Sequence, residues 1–298
     1  QRSGTNDLWN NTKVQLKMTS IVIETQHMKK PVILFVTDLY YPAKGRNYYE
    51  EDLFLTSELR KYFDLAMCHP TQTEPFENSV ELIMIRNSGP TLYYKDVFNT
   101  FVKRIENLKK PTYNALSGKA DIRGKQYLID LTKQEFPVIP TIDDVRHLDC
   151  LPRTSRFVVK PKDGADSVGI KFVTSRELQE QEWNGYLIQP AMDIKYEISF
   201  YFIDKEFQYA LHAPDKQRRW ELKNYEPTKE DLHFAQIFIE WNDLSHGIQR
   251  VDACRTEVDD VLLVELEDLN PYLSLSVLNE AQREAFIAKL IISMKQVI

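Results

Sequence analysis

Residues 247–275 of the chain read GIQRVDACRTEVDDVLLVELEDLNPYLSL. Two β-rich runs, 248–254 and 261–267, flank the acidic turn Glu257-Val258-Asp259-Asp260, a pattern that predicts a hairpin. With the turn centred between Val258 and Asp259, Asp252 falls opposite Glu265 and Arg250 opposite Glu267. Side chains alternate faces along a strand. Arg250, Asp252, Glu265 and Glu267 therefore share one face, while Val251, Ala253, Val264 and Leu266 fill the other. Carboxylates directly across a ladder destabilise it by a few tenths to about 1 kcal/mol, so the pair invites a compensating cation. Mg²⁺ fits best, being hard, oxygen-seeking and usually held by one or two carboxylates plus substrate phosphates. A solvated acidic face explains the same residues, and a register slip of one residue exchanges the faces; both readings stay open on this stretch alone.

The chain of 298 residues can bury a sizeable core and allows one to three domains. Its net charge of −6 lacks the basic excess of a nucleic-acid binder, which argues against DNA or RNA as the main partner. Cys68, Cys150 and Cys254 are widely spaced, odd in number and form no C-x-x-C, so neither a disulfide framework nor a zinc site is expected. A reducing cytoplasm is the natural setting. No apolar run approaches the roughly 18 residues of a membrane span and no signal segment opens the chain, so no membrane partner is expected.

Residues 1–28 are polar and read as a leader, tag or flexible extension, with a strand over 14–25 as the one regular element. The apolar run 31–36 has the character of a buried parallel strand. A tyrosine-rich loop over 37–49 follows, then a helix over 50–63, a strand over 82–85 and an amphipathic helix over 97–108. Strands alternating with helices imply a parallel α/β sheet, and such sheets bind ligands outside the carboxyl ends of their strands. That puts the 37–49 loop and Arg86-Asn87 at a site mouth, although Tyr40, Tyr41, Tyr48 and Tyr49 equally suit ordinary loop packing.

From Asp121 a helix containing GKQYLIDLTKQEF is expected to run into Pro137. A strand over 157–161 leads into a small-residue loop, 162–171, whose Gly164 and Gly169 let backbone N–H groups approach a phosphate. Lys160, at the preceding strand's end, aims a charge at the same place. Strands over 186–192, 196–203 and 206–212 suggest an antiparallel sheet. Residues 214–227 form a long charged loop of the kind that is either a functional lid or a disordered segment, and helices over 229–241 and 279–294 complete the reading.

Taken in order, these pieces resemble the ATP-grasp superfamily, in the branch of carboxylate-amine ligases that includes glutathione synthetase and D-alanine:D-alanine ligase. The resemblance covers roughly residues 30–297. It implies an α/β (α+β) fold: a flexible extension over 1–28, a parallel α/β substrate domain over 29–120, a small subdomain with the glycine-rich loop over 121–190, and a large subdomain with the metal site over 191–298. Lys125 in GKQYL and Lys160 in FVVKP stand where the family's two phosphate-contacting lysines stand. The covering loop corresponds to 163–169, which, with Lys162 just before it, brings Gly164, Ser167 and Gly169 to the nucleotide. Gln189 and Ala191 fall on the adenine-contacting linker strand, and Glu197 at the ribose-binding glutamate. At the hairpin the family shows R-x-D followed by E-x-N, whereas this chain has Glu267 in place of the asparagine. Asp252, Glu265 and Glu267 are then the implied ligands of one or two Mg²⁺, with Asn270 as the alternative amide ligand.

The resemblance implies a ligase that activates a carboxylate as an acyl phosphate with ATP and joins it to an amine, its partners being a small-molecule carboxylate and amine. Such ligases are commonly dimers, so a homodimer is admitted by analogy. Arg250 would stabilise the acyl phosphate, with a salt bridge to Glu267 as the plainer reading. Arg219, with Arg218 and Lys223, would close over substrate. Arg86 would hold a carboxylate through two hydrogen bonds, and His212 is either a substrate contact or structural. A small-molecule kinase and a nucleotide-binding protein without turnover are the competing readings.

Overall fold

The computed structural model describes residues 29–41, 48–86, 94–164, 169–215 and 217–298. The expected strand over 14–25, Asn87 and Ser167 lie outside the described residues. Three sheets carry the architecture. Strands β1 (Val32–Val36), β2 (Asp64–Cys68), β3 (Leu82–Ile85) and β4 (Thr112–Tyr113) form a parallel sheet in the order β2-β1-β3-β4, connected through α1 (Tyr48–Leu59) and α2 (Lys95–Leu108). The alternation of β1 divides its apolar residues between two layers. Ile33 and Phe35 pack with Leu55 and Leu59 of α1, whereas Leu34 and Val36 pack with Phe101 and Ile105 of α2. Strand β2, which the sequence reading passes over, pairs along the whole of β1.

A three-stranded antiparallel sheet follows, in the order β6-β5-β7, from β5 (Arg156–Pro161), β6 (Lys171–Thr174) and β7 (Tyr186–Pro190). The unexpected helix α4 (Ser175–Glu180) owes its start to a capping box between Thr174 and Glu177, and buries Leu178 against Phe157 and Val159. The largest sheet is antiparallel, in the order β10-β9-β8-β11-β12, from β8 (Ile194–Ile203), β9 (Glu206–Ala213), β10 (Lys223–Tyr225), β11 (Ile248–Thr256) and β12 (Val261–Glu267). Strand β10 lies inside the segment expected to be a structureless loop; its backbone pairs with β9 although no apolar alternation marks it.

One face of the large sheet, with Ile198, Phe200 and Val251, packs against α5 (Lys229–Asn242) and α3 (Tyr127–Lys133). Tyr201, Ile203 and Tyr209, on the other face, join the core under the parallel sheet, where α6 (Glu280–Val297) inserts Phe286, Leu290 and Met294. Helix α3 is shorter than the sequence suggests. Asp121–Arg123 forms a 3₁₀ turn, Gly124 follows with φ +83°, and Lys125 precedes the helix.

The hairpin pairs Arg250 with Glu267 and Asp252 with Glu265, as its sequence predicts. A bulge between Asp252 and Ala253 then sets Ala253 opposite Leu263. The inward residue is accordingly Leu263, fully buried, and Val264 leaves the interior for the polar face. The expected placing of Val264 fails because a bulge adds one residue to a strand and exchanges the faces beyond it.

Asp268, fully buried just after β12, accepts hydrogen bonds from Ala120 N at 3.0 Å and Ile122 N at 2.8 Å, which ties the turn before Lys125 to the hairpin. Gly118 lies so close that a Cβ there would stand 2.1 Å from Asp268 Oδ2. Gly118→Ala is expected to destabilise the fold by roughly 1–3 kcal/mol through this overpacking. The check is the midpoint of chemical denaturation, and an unchanged midpoint would show that the contact is not made.

Candidate active site

A cavity of about 380 Å³ opens on the polar face of the hairpin, bounded by β8, β9, β11, β12, the segment after β9 and Tyr48 at the start of α1. Alternation along β8 presents Glu197, Ser199 and Tyr201 to it, and alternation along β11 presents Arg250 and Asp252. Glu265 and Glu267 complete that wall from β12.

Arg250 is the centre of the charge arrangement. Its Nε donates to Asp252 Oδ1 at 2.9 Å, its Nη2 to Asp252 Oδ2 at 2.8 Å and to Glu267 Oε1, and its Nη1 to the Tyr272 carbonyl at 2.8 Å. The ring of Tyr201 lies beneath the guanidinium, 6.0 Å from its carbon. Burial opposes the charge on Arg250, and the carboxylates of Asp252 and Glu267 more than offset it. Ser199 Oγ donates to Asp252 Oδ1 at 2.6 Å. Burial, and then the nearby Asp252 and Asp121, push the Glu267 carboxyl up to about 7 against the pull of Arg250. This wall thus holds more carboxylate than its guanidinium neutralises.

Two lysines approach from behind. Lys125 Nζ contacts the Glu265 carboxylate and sits 3.2 Å from Asp121 Oδ1, and its backbone N–H donates to the Lys162 carbonyl at 3.1 Å. Lys160, on β5, is 8% exposed; burial first and repulsion from Lys125 second bring its ammonium down to about 7. The hairpin acids, Lys125 and Lys160 therefore form one electrostatic cluster built from three different stretches of the chain. Among the described residues no three His, Cys, Asp or Glu side chains form a ready metal shell.

At the cavity's outer rim Arg219 donates to both carboxylate oxygens of Glu197, at 2.9 and 2.5 Å, and Trp220 beside it is two-thirds exposed. Of the other two charged residues expected to close over the site, Arg218 pairs locally with Asp215 and Glu221, and Lys223 is drawn into β10. Neither lines the cavity.

The remaining expected residues are dispersed. Lys162 Nζ bonds Asp143 Oδ2 at 2.6 Å and Gln126 Oε1 at 3.1 Å. Gly164 N donates to the Pro161 carbonyl at 3.2 Å, and Gly169 has φ +78°. Gln189 is buried with its amide on Thr141 Oγ1 at 2.8 Å, and Ala191 N donates to the Arg156 carbonyl at 3.0 Å. Asn270 follows β12 and does not line the cavity. His212 faces away from the cavity, edge-on to Tyr196 and beside Tyr225, because its neighbours Leu211 and Ala213 take the cavity face.

Arg86 requires a correction. It is 3% exposed, and its guanidinium is occupied by the chain's own groups: Glu51 at 3.2 Å, Asp52 at 3.3 Å and the Pro271 carbonyl at 3.1 Å. Two internal carboxylates satisfy the fork that the sequence reading assigned to a substrate carboxylate. Among the tyrosines, Tyr48 lines the cavity and stacks edge-on with Tyr272, whereas Tyr40 is almost wholly exposed. Sequence reasoning missed Ser199, although its spacing of two from Glu197 on a predicted strand was the available signal. It also missed Asp268 and Glu51, whose roles arise from contacts distant in the chain and leave no local signal.

No family model matches the sequence, and no curated protein is significantly similar to it. The fold, by contrast, is that of the ATP-grasp ligases. D-cycloserine synthetase DcsG superposes with a TM-score of 0.66 at 18% identity, over 87% of this chain and 99% of that one. The D-alanine–D-alanine ligase of Bacillus anthracis, solved in complex with ATP, gives a TM-score of 0.64 at 16% identity, over 90% of this chain and 97% of that one. The ATP-grasp ligase PsnB, solved with a minimal precursor, gives 0.60 at 13% identity, over 88% and 99%. No described helix is long and apolar enough to cross a membrane.

The buried ammonium of Lys160 costs stability in the free protein. Its folded-state pKa lies below its unfolded value, so the penalty is full below about 7 and fades as pH rises toward the ordinary lysine value of 10.5. Lys160→Met is expected to raise the denaturation midpoint, by at least about 1 kcal/mol near neutrality, with a gain that shrinks between pH 7 and 10. A midpoint that falls, or a gain independent of pH, would contradict the placing of this lysine.

Proposed function

We propose that the protein is an ATP-dependent ligase that activates a carboxylate as an acyl phosphate and joins it to an amine, with release of ADP and phosphate. The observation that carries this reading is the convergence of Arg250, Lys125 and Lys160 with Asp252, Glu265 and Glu267 in an ATP-grasp fold. Carboxylates are poor electrophiles, and transfer of a phosphoryl group to one needs positioning and charge neutralisation more than covalent help from the protein. In this reading residues 29–120 and the segment after β9 choose the substrate, while 121–190 and 191–298 grip the nucleotide.

The acid pair fits Mg²⁺. Asp252 and Glu265 stand opposite across the ladder, with Glu267 two residues from Glu265 on the same strand. Mg²⁺ commonly takes part of its coordination from substrate phosphates. Asp252, Glu265 and Glu267 would hold the ion, which when bound neutralises charge on the transferring phosphoryl group. Lys125 and Lys160 hold the nucleotide phosphates and Glu197 its ribose. Arg250, charged throughout, stabilises the acyl phosphate and the tetrahedral adduct that the amine forms from it. A cytoplasmic setting suits an enzyme that consumes ATP.

An ADP-release screen of amino acids and small carboxylates in pairs, with Mg²⁺, tests the proposal. Release that requires both an acid and an amine is expected; a stable phosphorylated product would identify a kinase instead. With an active pair in hand, Asp252→Asn and Glu265→Gln should each lower turnover at least roughly a hundredfold while circular dichroism stays native. Normal turnover in both variants would reject the metal assignment. Phosphates bound beside Lys160 should also restore its proton. Titration of nucleotide at pH 8 in buffers of different ionisation enthalpy is then expected to show net proton uptake, and affinity to fall as pH rises above 7. Binding without proton uptake would remove Lys160 from the phosphate site.

A further inference from the structure

Glu51 and Arg86 take no direct part in the proposed reaction, yet both are buried with their polar groups bonded to a single short segment, 271–275. Glu51 Oε1 accepts from Leu273 N at 2.8 Å and Glu51 Oε2 from Leu275 N at 3.1 Å. Arg86 Nη1 donates to the Pro271 carbonyl at 3.1 Å and Nη2 to Glu51 Oε1 at 3.2 Å. Asp52 steadies the pair: it accepts from Arg86 Nε at 3.3 Å and from Thr37 Oγ1 at 2.5 Å. All four of these side chains come from the parallel sheet and its first helix, whereas the segment they hold follows β12 of the large sheet.

The backbone groups of this segment are divided between two customers. Pro271 O, Leu273 N and Leu275 N are taken by Arg86 and Glu51, and between them Tyr272 O is taken by Arg250 Nη1 at 2.8 Å. The ring of Tyr272 is held as well, 4.6 Å from that of Tyr48. Two carboxylates and one guanidinium make a costly way to fill a buried space, since a well-packed apolar group of similar volume is often as stable or more so. Their geometry instead dictates where one carbonyl oxygen points.

We propose that Glu51 and Arg86 are positioning residues: they fix segment 271–275 so that the Tyr272 carbonyl orients the Arg250 guanidinium in the cavity. The inference rests on the role proposed above for Arg250, and it makes the parallel sheet a support of the reaction centre as well as a substrate-choosing unit. A guanidinium held by Asp252 and Glu267 alone retains two acceptors on one side, and the third, on Nη1, removes its remaining freedom to rotate.

A double-mutant cycle on the full chain tests this, with Mg·ADP plus aluminium fluoride as a mimic of the phosphoryl group in transfer and Mg·ADP alone as the reference. Arg250→Lys is expected to weaken binding of the fluoride complex by a larger factor than it weakens binding of Mg·ADP. Glu51→Gln, which leaves one acceptor oxygen for two N–H groups, should weaken it roughly tenfold relative to Mg·ADP. The double variant should match Arg250→Lys alone, since a residue acting only through Arg250 has nothing left to act on. Should Glu51→Gln fail to fold, Arg86→Lys, which keeps the charge and loses the fork, carries the same expectation. Independent, multiplying losses, or a Glu51 or Arg86 variant that binds the fluoride complex normally, would overturn the positioning role. An Arg250→Lys variant with unaltered fluoride-complex binding would remove the Arg250 assignment itself, and the inference with it.

Discussion

Arg250 lies beneath the cavity with its guanidinium divided among Asp252, Glu267 and the Tyr272 carbonyl, and the surrounding structure is arranged about that division. A buried guanidinium needs its donors satisfied and its charge balanced, because an unpaired ion in low dielectric is strongly destabilising. Two carboxylates on one face of a hairpin supply the balance and leave a surplus of negative charge. That surplus is the feature on which the proposed cation site rests.

Placing this wall draws on the large sheet, the helices against it and the parallel sheet. The hairpin's apolar face is sealed by α3 and α5, and Asp268 at its end holds the turn that presents Lys125. Asn114, at the end of the parallel sheet, donates from its side chain to the carbonyls of Ile248 and Asp268 and accepts from Ile248 N. Glu51 and Arg86 hold the segment that follows. The parallel sheet thus bonds to the chain within two residues of Arg250 and of Glu267.

Three cations of the free site are occupied by its anions: Lys125 by Glu265, Arg219 by Glu197 and Arg250 by Asp252 and Glu267. The rim pair between Arg219 and Glu197 is partly exposed, so it contributes little to stability and exchanges partners at small cost. The buried pairs are another matter, since removing either partner strands the other. A polyanion arriving with a divalent cation satisfies both sets together, which is a physical reason for such a site to bind the two as a unit.

Much of this was legible in the chain. The parallel sheet shows in continuous apolar runs, and the hairpin register from Arg250–Glu267 to Asp252–Glu265 follows from strand alternation and the position of one turn. Those are local properties, set by backbone geometry and side-chain periodicity. Beyond the bulge after Asp252 the alternation fails, and Val264 and Leu263 exchange places. Only the tertiary structure decided that Arg86 is spent on Glu51, Asp52 and Pro271, that His212 faces away from the cavity, and that Lys160 is buried deeply enough to lose much of its basicity. Each depends on groups tens or hundreds of residues away, and the free energy of a buried charge is determined by those neighbours and the water they exclude, neither of which a residue's own sequence context contains.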